Sequence, residues 1–384
     1  MMMSDTTRAS AEGRSSLKDT LARSLRSSVK LGCALTLHAS GLANALGARR
    51  GLAQAPVVLG YHRVVKNFAD SAQRSIAPQL TSVEMFQRQL EWMAQRYEFV
   101  SLDDLVATLE GQRVARKPIA AITFDDGYED FYTNAMPVLM GMGIPSAIFV
   151  CTELTGNDQL LTHDEVYLLF ARLLDANRNR LDPTWWHSAL PVDIAEALLV
   201  HLQDMQTPFT ATRTTLEFLT QAQVRCLLDV FKDEVSANDS GREELRLLNW
   251  DQLRHMHAQG VTIGSHTKTH ALLANLGASD LRAELEESRR KLEIELGTKV
   301  HHLAYPDGRF NEVAVDAALE AGYRAAYTVC RHRDERHLLM TIPRTMLWEN
   351  ACLGPMGRFS KSVLNCQING IFDPAAQCSR MHTA

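Results

Sequence analysis

From residue 56 onward the apolar positions follow two alternating rhythms. The runs "APVVLGYHRVV", "IAAITFDD", "PSAIFVC", "VTIGSH", "VHHLAYP" and "RAAYTVC" are short, rich in β-branched residues and nearly unbroken by polar ones. Such runs predict strands buried on both faces. Between them the spacing turns helical. In "TSVEMFQRQLEWMAQRY", Val83, Phe86, Leu90, Met93 and Tyr97 recur every three or four residues, and Thr81 with Glu84 predicts a capping-box start. "FVSL" and "DDLVATLEG" predict a short strand and a short helix, and residues 129–142 a helix closed by Gly141 and Gly143. "LNWDQLRHMHAQG" predicts another helix. "ASDLRAELEESRRKLEIELG" sets Leu281, Leu285, Leu292 and Leu296 on one face and stops at Gly297, and "NEVAVDAALEAG" begins at Asn311 as its cap. Strand and helix alternating through short links imply a parallel sheet covered by helices, and about seven such units favour closure into a barrel.

The alternation stops between Cys151 and Asn249. "DEVYLLFARLL", "DIAEALLVHLQDM" and "TQAQVRCLLDVFKDEV" predict helices, with "DPTWWHSAL" between two of them. This stretch reads as a helical insertion hanging from a loop at one strand end. Trp185 and Trp186 offer two readings, a lid presenting flat faces to sugar rings or two aromatics in the core of a helical appendage. The expected organisation is a leader (1–54), a first part of the barrel (55–152), the insertion (153–248), a second part (249–350) and a C-terminal extension (351–384).

Composition narrows the classes. The chain has 384 residues, 46% hydrophobic and 22% charged, enough to bury a full core. Forty basic against 45 acidic residues give a net charge of −5, and no basic stripe points to nucleic acid. Seven cysteines, an odd number without a CxxC pair, argue against a disulfide framework and a cysteine zinc site. At the N-terminus, "LGCALTLHASGLANALGARR" follows Arg23, Arg26 and Lys30 and contains the small-x-small triplet "ANA" of a cleavage site, but Thr36, His38 and Ser40 interrupt its apolar core. A basic amphipathic leader, lying on a membrane surface or on the domain, is the favoured reading over a cleaved signal. The first dozen residues read as disordered. A cytoplasmic or membrane-associated location is accordingly expected over secretion.

The polar residues that end the predicted strands carry the candidate chemistry. Barrel and open-sheet enzymes place their sites at the C-terminal strand ends. In "ITFDDGYED" Asp125 and Asp126 close an apolar run, where a buried carboxylate must be paired, hydrogen-bonded or metal-bound. By itself "DDG" reads equally as a capped turn. In "IGSHTKTH" His266 and His270 have the spacing that stacks two side chains on one helical face, and two imidazoles with a carboxylate make a frequent catalytic zinc set. "LAYPDGRFN" makes a sharp turn at Pro306 and Gly308, and "GYHRV" puts His62 at the first strand end. Either alone reads as structural; four such elements at four strand ends do not.

"TFDDG", "SHTKTH" and "YPDG", in this order, resemble the first three motifs of the polysaccharide deacetylases, and "GYHRV" resembles their exopolysaccharide branch, which acts on polymers such as poly-N-acetylglucosamine. The resemblance covers about 56–150 and 248–345. It implies a partial (β/α)7 barrel in which Asp126, His266 and His270 bind a divalent metal, usually Zn2+. It implies Asp125 as general base, His62 as general acid, since no Leu-x-x-His motif follows residue 340, and the Asp307 N–H as an oxyanion-hole donor. The arginine that pairs with the base in many members is replaced by Ala304, so Arg344 in "TIPRTML" is the candidate tether. The implied activity is metal-dependent removal of N-acetyl groups from N-acetylhexosamine residues of a polysaccharide or lipid-linked glycan. Peripheral membrane contact would come through the leader. The alternatives are a catalytically altered carbohydrate-binding member of the same fold and another metal hydrolase such as a phosphoesterase.

Overall fold

The computed structural model describes residues 30–49, 56–174, 183–236, 239–329, 331–354 and 357–372. Its strands are β1 (Val57–Tyr61), β2 (Arg63–Val65), β3 (Leu80–Ser82), β4 (Glu98–Phe99), β5 (Ile119–Phe124), β6 (Ser146–Val150), β7 (Thr262–Ser265), β8 (His302–Ala304), β9 (Ala325–Thr328), β10 (Ile342–Pro343) and β11 (Thr345–Met346). Every pairing in the main sheet is parallel, in the order β10-β9-β8-β7-β6-β5-β1-β11, with β4 beside the start of β5. The two ends of this list are one segment of chain. Ile342 and Pro343 pair with Tyr327 and Thr328 of β9, whereas Thr345 and Met346 pair with Leu59 and Gly60 of β1. The run 342–346 therefore closes a seven-stranded barrel and is broken only at Arg344, the seam.

Strand alternation sorts the apolar residues into two layers. Val58, Ala121, Ala147, Phe149, Ala304, Tyr327 and Ile342 form one cluster, the inside of the barrel. Their neighbours Leu59, Ile122, Ile148, Ile263, Leu303 and Ala326 join a second cluster with Phe86, Leu90, Leu253, Leu285 and Val315 of the surrounding helices. A barrel buried within and without explains why its strands read as continuous apolar runs. At the N-terminal end His302 is a satisfied core histidine, its Nε2 3.2 Å from Asp103 Oδ1 and its Nδ1 3.2 Å from the Tyr327 hydroxyl.

Several boundaries differ from expectation for local reasons. The helix Val83–Ala94 is capped by Ser82, whose hydroxyl accepts from Met85 N–H, because Thr81 is buried in β3. The helix expected over 129–142 opens as a wide π turn, Phe131–Ala135, before Met136–Gly141. Pro137 lacks the N–H that would continue a regular ladder back through that turn. The 162–236 region holds the expected helix Thr162–Leu173; the helix expected over 193–205 stops at Leu199 (Val192–Leu199), the one expected over 220–235 is split at Phe231 into Gln221–Val230 and Lys232–Ser236, and Pro183–Ala189 and Pro208–Phe218 are added. Trp186 is buried and Trp185 partly buried in their shared core with Phe170 and Phe231. The lid reading is thereby corrected: these indoles are spent on packing.

Of the leader, residues 30–39 and Leu42–Arg49 are helical, and Ala34 and Ala43 pack on Val363 and Cys366 of the helix Lys361–Ile368. Asn44 accepts hydrogen bonds from Asn365 and Asn369. This part of the leader lies on the domain. The disorder expected for the first dozen residues lies outside the described residues. Among those described, no helix is long and apolar enough to cross a membrane.

Candidate metal centre

The inward row of β5, Ile119, Ala121 and Thr123, continues into Asp125. The inward row of the seam strand continues from Ile342 into Arg344. The two meet at the C-terminal mouth, where Arg344 Nη1 and Nη2 donate to Asp125 Oδ1 and Oδ2 at 2.6 and 2.7 Å. Both side chains are out of water, at 0% and 4% exposure. Arg344 also donates to Thr123 Oγ1 and lies over the Phe149 ring. Burial by itself raises the Asp125 pKa, and the Arg344 guanidinium, joined by His266 and His62, outweighs it, holding the carboxyl below its ordinary value. Asp125 is thus kept as a carboxylate.

Asp126 by alternation should turn outward, toward the helices. Its φ of 73° turns it back over the mouth, and Gly127 follows at 80°. The non-glycine residues with positive φ among those described are Asp126, Thr267, His270 and Asp307, all in the three motif loops. Strain of this kind costs on the order of 1–3 kcal/mol per residue and persists only where the surroundings impose it. It also corrects one expectation. His266 and His270 do not converge on a helical face; the loop between them is irregular, and its two left-handed residues bring the imidazoles together. Glu284, on the helix Ala278–Leu296, clamps that loop by accepting from the N–H groups of Lys268 and Thr269 and the Thr269 hydroxyl.

His266 Nε2 and His270 Nε2 stand 3.5 and 3.3 Å from Asp126 Oδ1. Bonds of about 2.0–2.1 Å around a tetrahedral ion separate its ligand atoms by about 3.3–3.4 Å. Both Asp126 oxygens are buried without a well-formed hydrogen bond, so a cation, either a bound divalent ion or a protonated His270, has to balance the carboxylate. His266 Nδ1 lies 2.8 Å from the Ala304 carbonyl, so Nδ1 carries the proton and Nε2 offers its lone pair. Asp126, His266 and His270 fit a divalent ion as donors. Asp126 Oδ2 faces the other way, toward His62 Nε2 at 4.0 Å and His163 Nε2 at 3.9 Å. Burial pushes the His62 imidazole down from its ordinary value against the pull of Asp126 and Asp125.

The third motif forms a tight turn, Pro306–Gly308, with Asp307 at φ 54°. A Cβ at Gly308 would collide with the Val329 side chain and backbone, so the turn demands glycine. Gly308 N–H and Arg309 N–H are bonded within the turn, whereas no described residue accepts from the Asp307 N–H.

The profile of the family described as polysaccharide deacetylase matches residues 112–172 and 202–326. The chain belongs to the polysaccharide deacetylase family. It is 30% identical over 81 residues to the Bacillus subtilis (strain 168) protein YxkH, described as a polysaccharide deacetylase, a match that spans 21% of this chain and 29% of that protein. Among solved structures it is similar to the Streptococcus pyogenes deacetylase PplD in complex with acetate (TM-score 0.49, 16% identity, 77% of this chain and 93% of that one). It is also similar to IcaB from Ammonifex degensii (TM-score 0.48, 18% identity, 78% and 94%). Within the deacetylase match lies much of the helical region between Cys151 and Asn249, and only 173–201 interrupts it.

That region supplies what sequence reasoning missed in this chain. His163, in the first turn of the helix Thr162–Leu173, reaches the mouth of the barrel, and Tyr128 and Asp164 lie behind it. The single signal was a histidine and an aspartate opening a mostly apolar helix. Every site residue named from sequence is at this mouth: His62, Asp125, Asp126, His266, His270, Asp307 and Arg344.

The Asp126–His270 pair would make affinity for a divalent ion pH-dependent. Burial would lower the His270 pKa, but the Asp126 carboxylate raises it to about 9. A raised value means that His270 is protonated near neutral pH and must shed its proton before it can ligate. Divalent-ion binding near pH 7 is therefore expected to release about one proton, with affinity rising about tenfold per pH unit up to about 9. Calorimetric titration in buffers of different ionisation enthalpy measures this; a binding heat independent of buffer would show that no proton leaves.

Proposed function

We propose that this polysaccharide deacetylase is a metal-dependent hydrolase that removes N-acetyl groups from N-acetylhexosamine residues of a glycan, with Zn2+ as the ion. The observation that carries the reading is the orphaned Asp126 carboxylate, at tetrahedral ligand spacing from two imidazoles, next to a second carboxylate held ionised by Arg344. The neighbouring aspartates have separate tasks because their rows diverge at the strand end.

A divalent ion on Asp126, His266 and His270 would supply Lewis acidity for the amide carbonyl and acidify a water. Asp125, ionised and fixed by two hydrogen bonds, takes the proton from the attacking water. The Asp307 N–H donates to the oxygen that gains charge, a contact worth about 3–4 kcal/mol in such sites. His62, on the other side of Asp126, gives a proton to the departing nitrogen. Amide and water become acetate and a free amine. The branch that acts on poly-N-acetylglucosamine is the closer reading for a chain whose acid precedes the "DD" pair. A lipid-linked glycan is a second source of the same N-acetyl chemistry, and a location in the cytoplasm or at a membrane goes with it.

Zinc-loaded protein is expected to free acetate from a β-linked N-acetylglucosamine oligomer. A zinc-bound protein that releases phosphate from esters but no acetate would instead support a phosphoesterase. His62→Ala should lose most of the turnover together with the alkaline limb of kcat/KM. A general acid must be protonated, and the depressed His62 value places that limb below the ordinary imidazole pKa of about 6.5 in the wild type. An alkaline limb that survives in His62→Ala would assign the proton to another group.

A further inference from the structure

We infer that His163 is a positioning residue of the metal centre, donated by the helical region between the two halves of the barrel. The inference rests on the metal-hydrolase reading above.

The helix Thr162–Leu173 is apolar on nearly every side. Val166, Leu169, Phe170 and Leu173 enter the core of the helical region, while Tyr167 and Leu168 pack with Tyr128 and Cys151 beside the barrel mouth. Buried from both directions, it has little freedom to shift, and its first turn holds His163 at the mouth. There the imidazole touches two of the three candidate ligands. Its ring packs edge-to-face on His270, with centroids 5.2 Å apart, and its Nε2 lies 3.9 Å from Asp126 Oδ2.

The same nitrogen lies 3.0 Å from the Tyr128 hydroxyl, which donates to buried Asp164 Oδ2 at 2.7 Å. Gln79 Nε2 lies 3.3 Å from the same nitrogen, so the ring is held between the Tyr128 hydroxyl and the Gln79 amide. His163, Tyr128 and Asp164 thus form a chain whose middle member stands two residues from Asp126. Across that gap run the left-handed Asp126 and Gly127. The returning chain presses on the same turn, with Leu248 N–H donating to Gly127 carbonyl and Glu129 N–H to Arg246 carbonyl. A turn in two unfavourable conformations needs support from outside, and His163 supplies it while bracing His270. Outer partners of this kind govern metal affinity by about 10–100-fold.

The test is Co2+ binding to the full chain, read by affinity and by the visible ligand-field bands, which report coordination geometry without any substrate. His163→Leu keeps most of the volume and removes the ring nitrogen; His163→Gln keeps a polar group for Tyr128. The Leu variant is expected to bind Co2+ about 10–100-fold more weakly with altered bands, and the Gln variant to recover much of both. Tyr128→Phe removes only the hydroxyl between His163 and Asp164, and should weaken binding in the same direction if the Leu variant does not fold. A folded Leu or Phe variant with wild-type affinity and unchanged bands would overturn the inference, leaving His163 as packing alone. If the folded wild type takes up no Co2+ under conditions where it is stable, the metal-hydrolase reading itself fails. That outcome is distinct, because it appears before any substitution is made.

Discussion

Asp125→Asn is expected to bind zinc as the wild type does and to lose acetate release by about 10²–10⁴-fold, the range for a positioned general base. Asparagine has nearly the same shape and still accepts one hydrogen bond from Arg344, so the fold at the mouth should hold. Metal binding should hold as well, because Asp125 is not among the donors at ligand spacing. Asp126→Asn and His266→Ala, by contrast, remove donors and should abolish binding, which makes them controls for loss of activity through loss of the ion. The pair of measurements, zinc content and single-turnover acetate release, separates the two aspartates. An Asp125→Asn protein that is zinc-loaded, folded and fully active would remove the base assignment and with it the account of why the carboxylates stand side by side.

The second large effect concerns stability. Arg344→Met should cost about 3–5 kcal/mol near neutral pH, because it leaves Asp125 buried and unpaired. The cost has a definite pH dependence. In the wild type the Asp125 pKa is held down, so its contribution is present above the ordinary carboxylate value and is lost as pH falls through the depressed one. Without Arg344 the largest influence that lowers it is gone, the Asp125 pKa rises, and the variant should recover stability relative to wild type on acidification as that carboxylate takes up a proton. The double variant Asp125→Asn, Arg344→Met should be more stable near neutral pH than Arg344→Met alone, since it removes the stranded charge. Urea denaturation at several pH values decides this. A destabilisation under about 1 kcal/mol, flat with pH, would show that water reaches the pair and that Arg344 contributes little as a tether.

The seam at Arg344 shows why this residue was only partly legible. Its candidacy came from an absence, Ala304 where an arginine was expected, rather than from any feature of "TIPRTML". The structure gives a positive reason: the inward row of the strand that closes the barrel arrives beside Asp125. His163, Glu284 and Tyr128 carried weaker signals still. Each lies in or beside a helix whose composition is explained by packing, and each acquires its role from a residue far away in the chain, at separations of 107 for His163 and His270 and 15 for Glu284 and Thr269. Trp185 and Trp186 were conspicuous in sequence and proved to be core.

Strand ends, by comparison, announced themselves. A buried parallel strand is apolar until it stops, so the first polar residue after it marks the mouth of the barrel, and His62, Asp125, His266 and Arg344 all occupy that place. Sequence by itself determined the period of each element, the seven-unit alternation and the set of polar residues that had to end up at one rim, because these depend on burial and on the two-residue repeat of a strand. Only the tertiary structure decided which way those residues point. The positive φ at Asp126, Thr267 and His270, the closure of the sheet through 342–346 and the bracing by His163 depend on contacts between distant segments, and the local sequence does not encode the energy that holds a non-glycine residue in a left-handed turn.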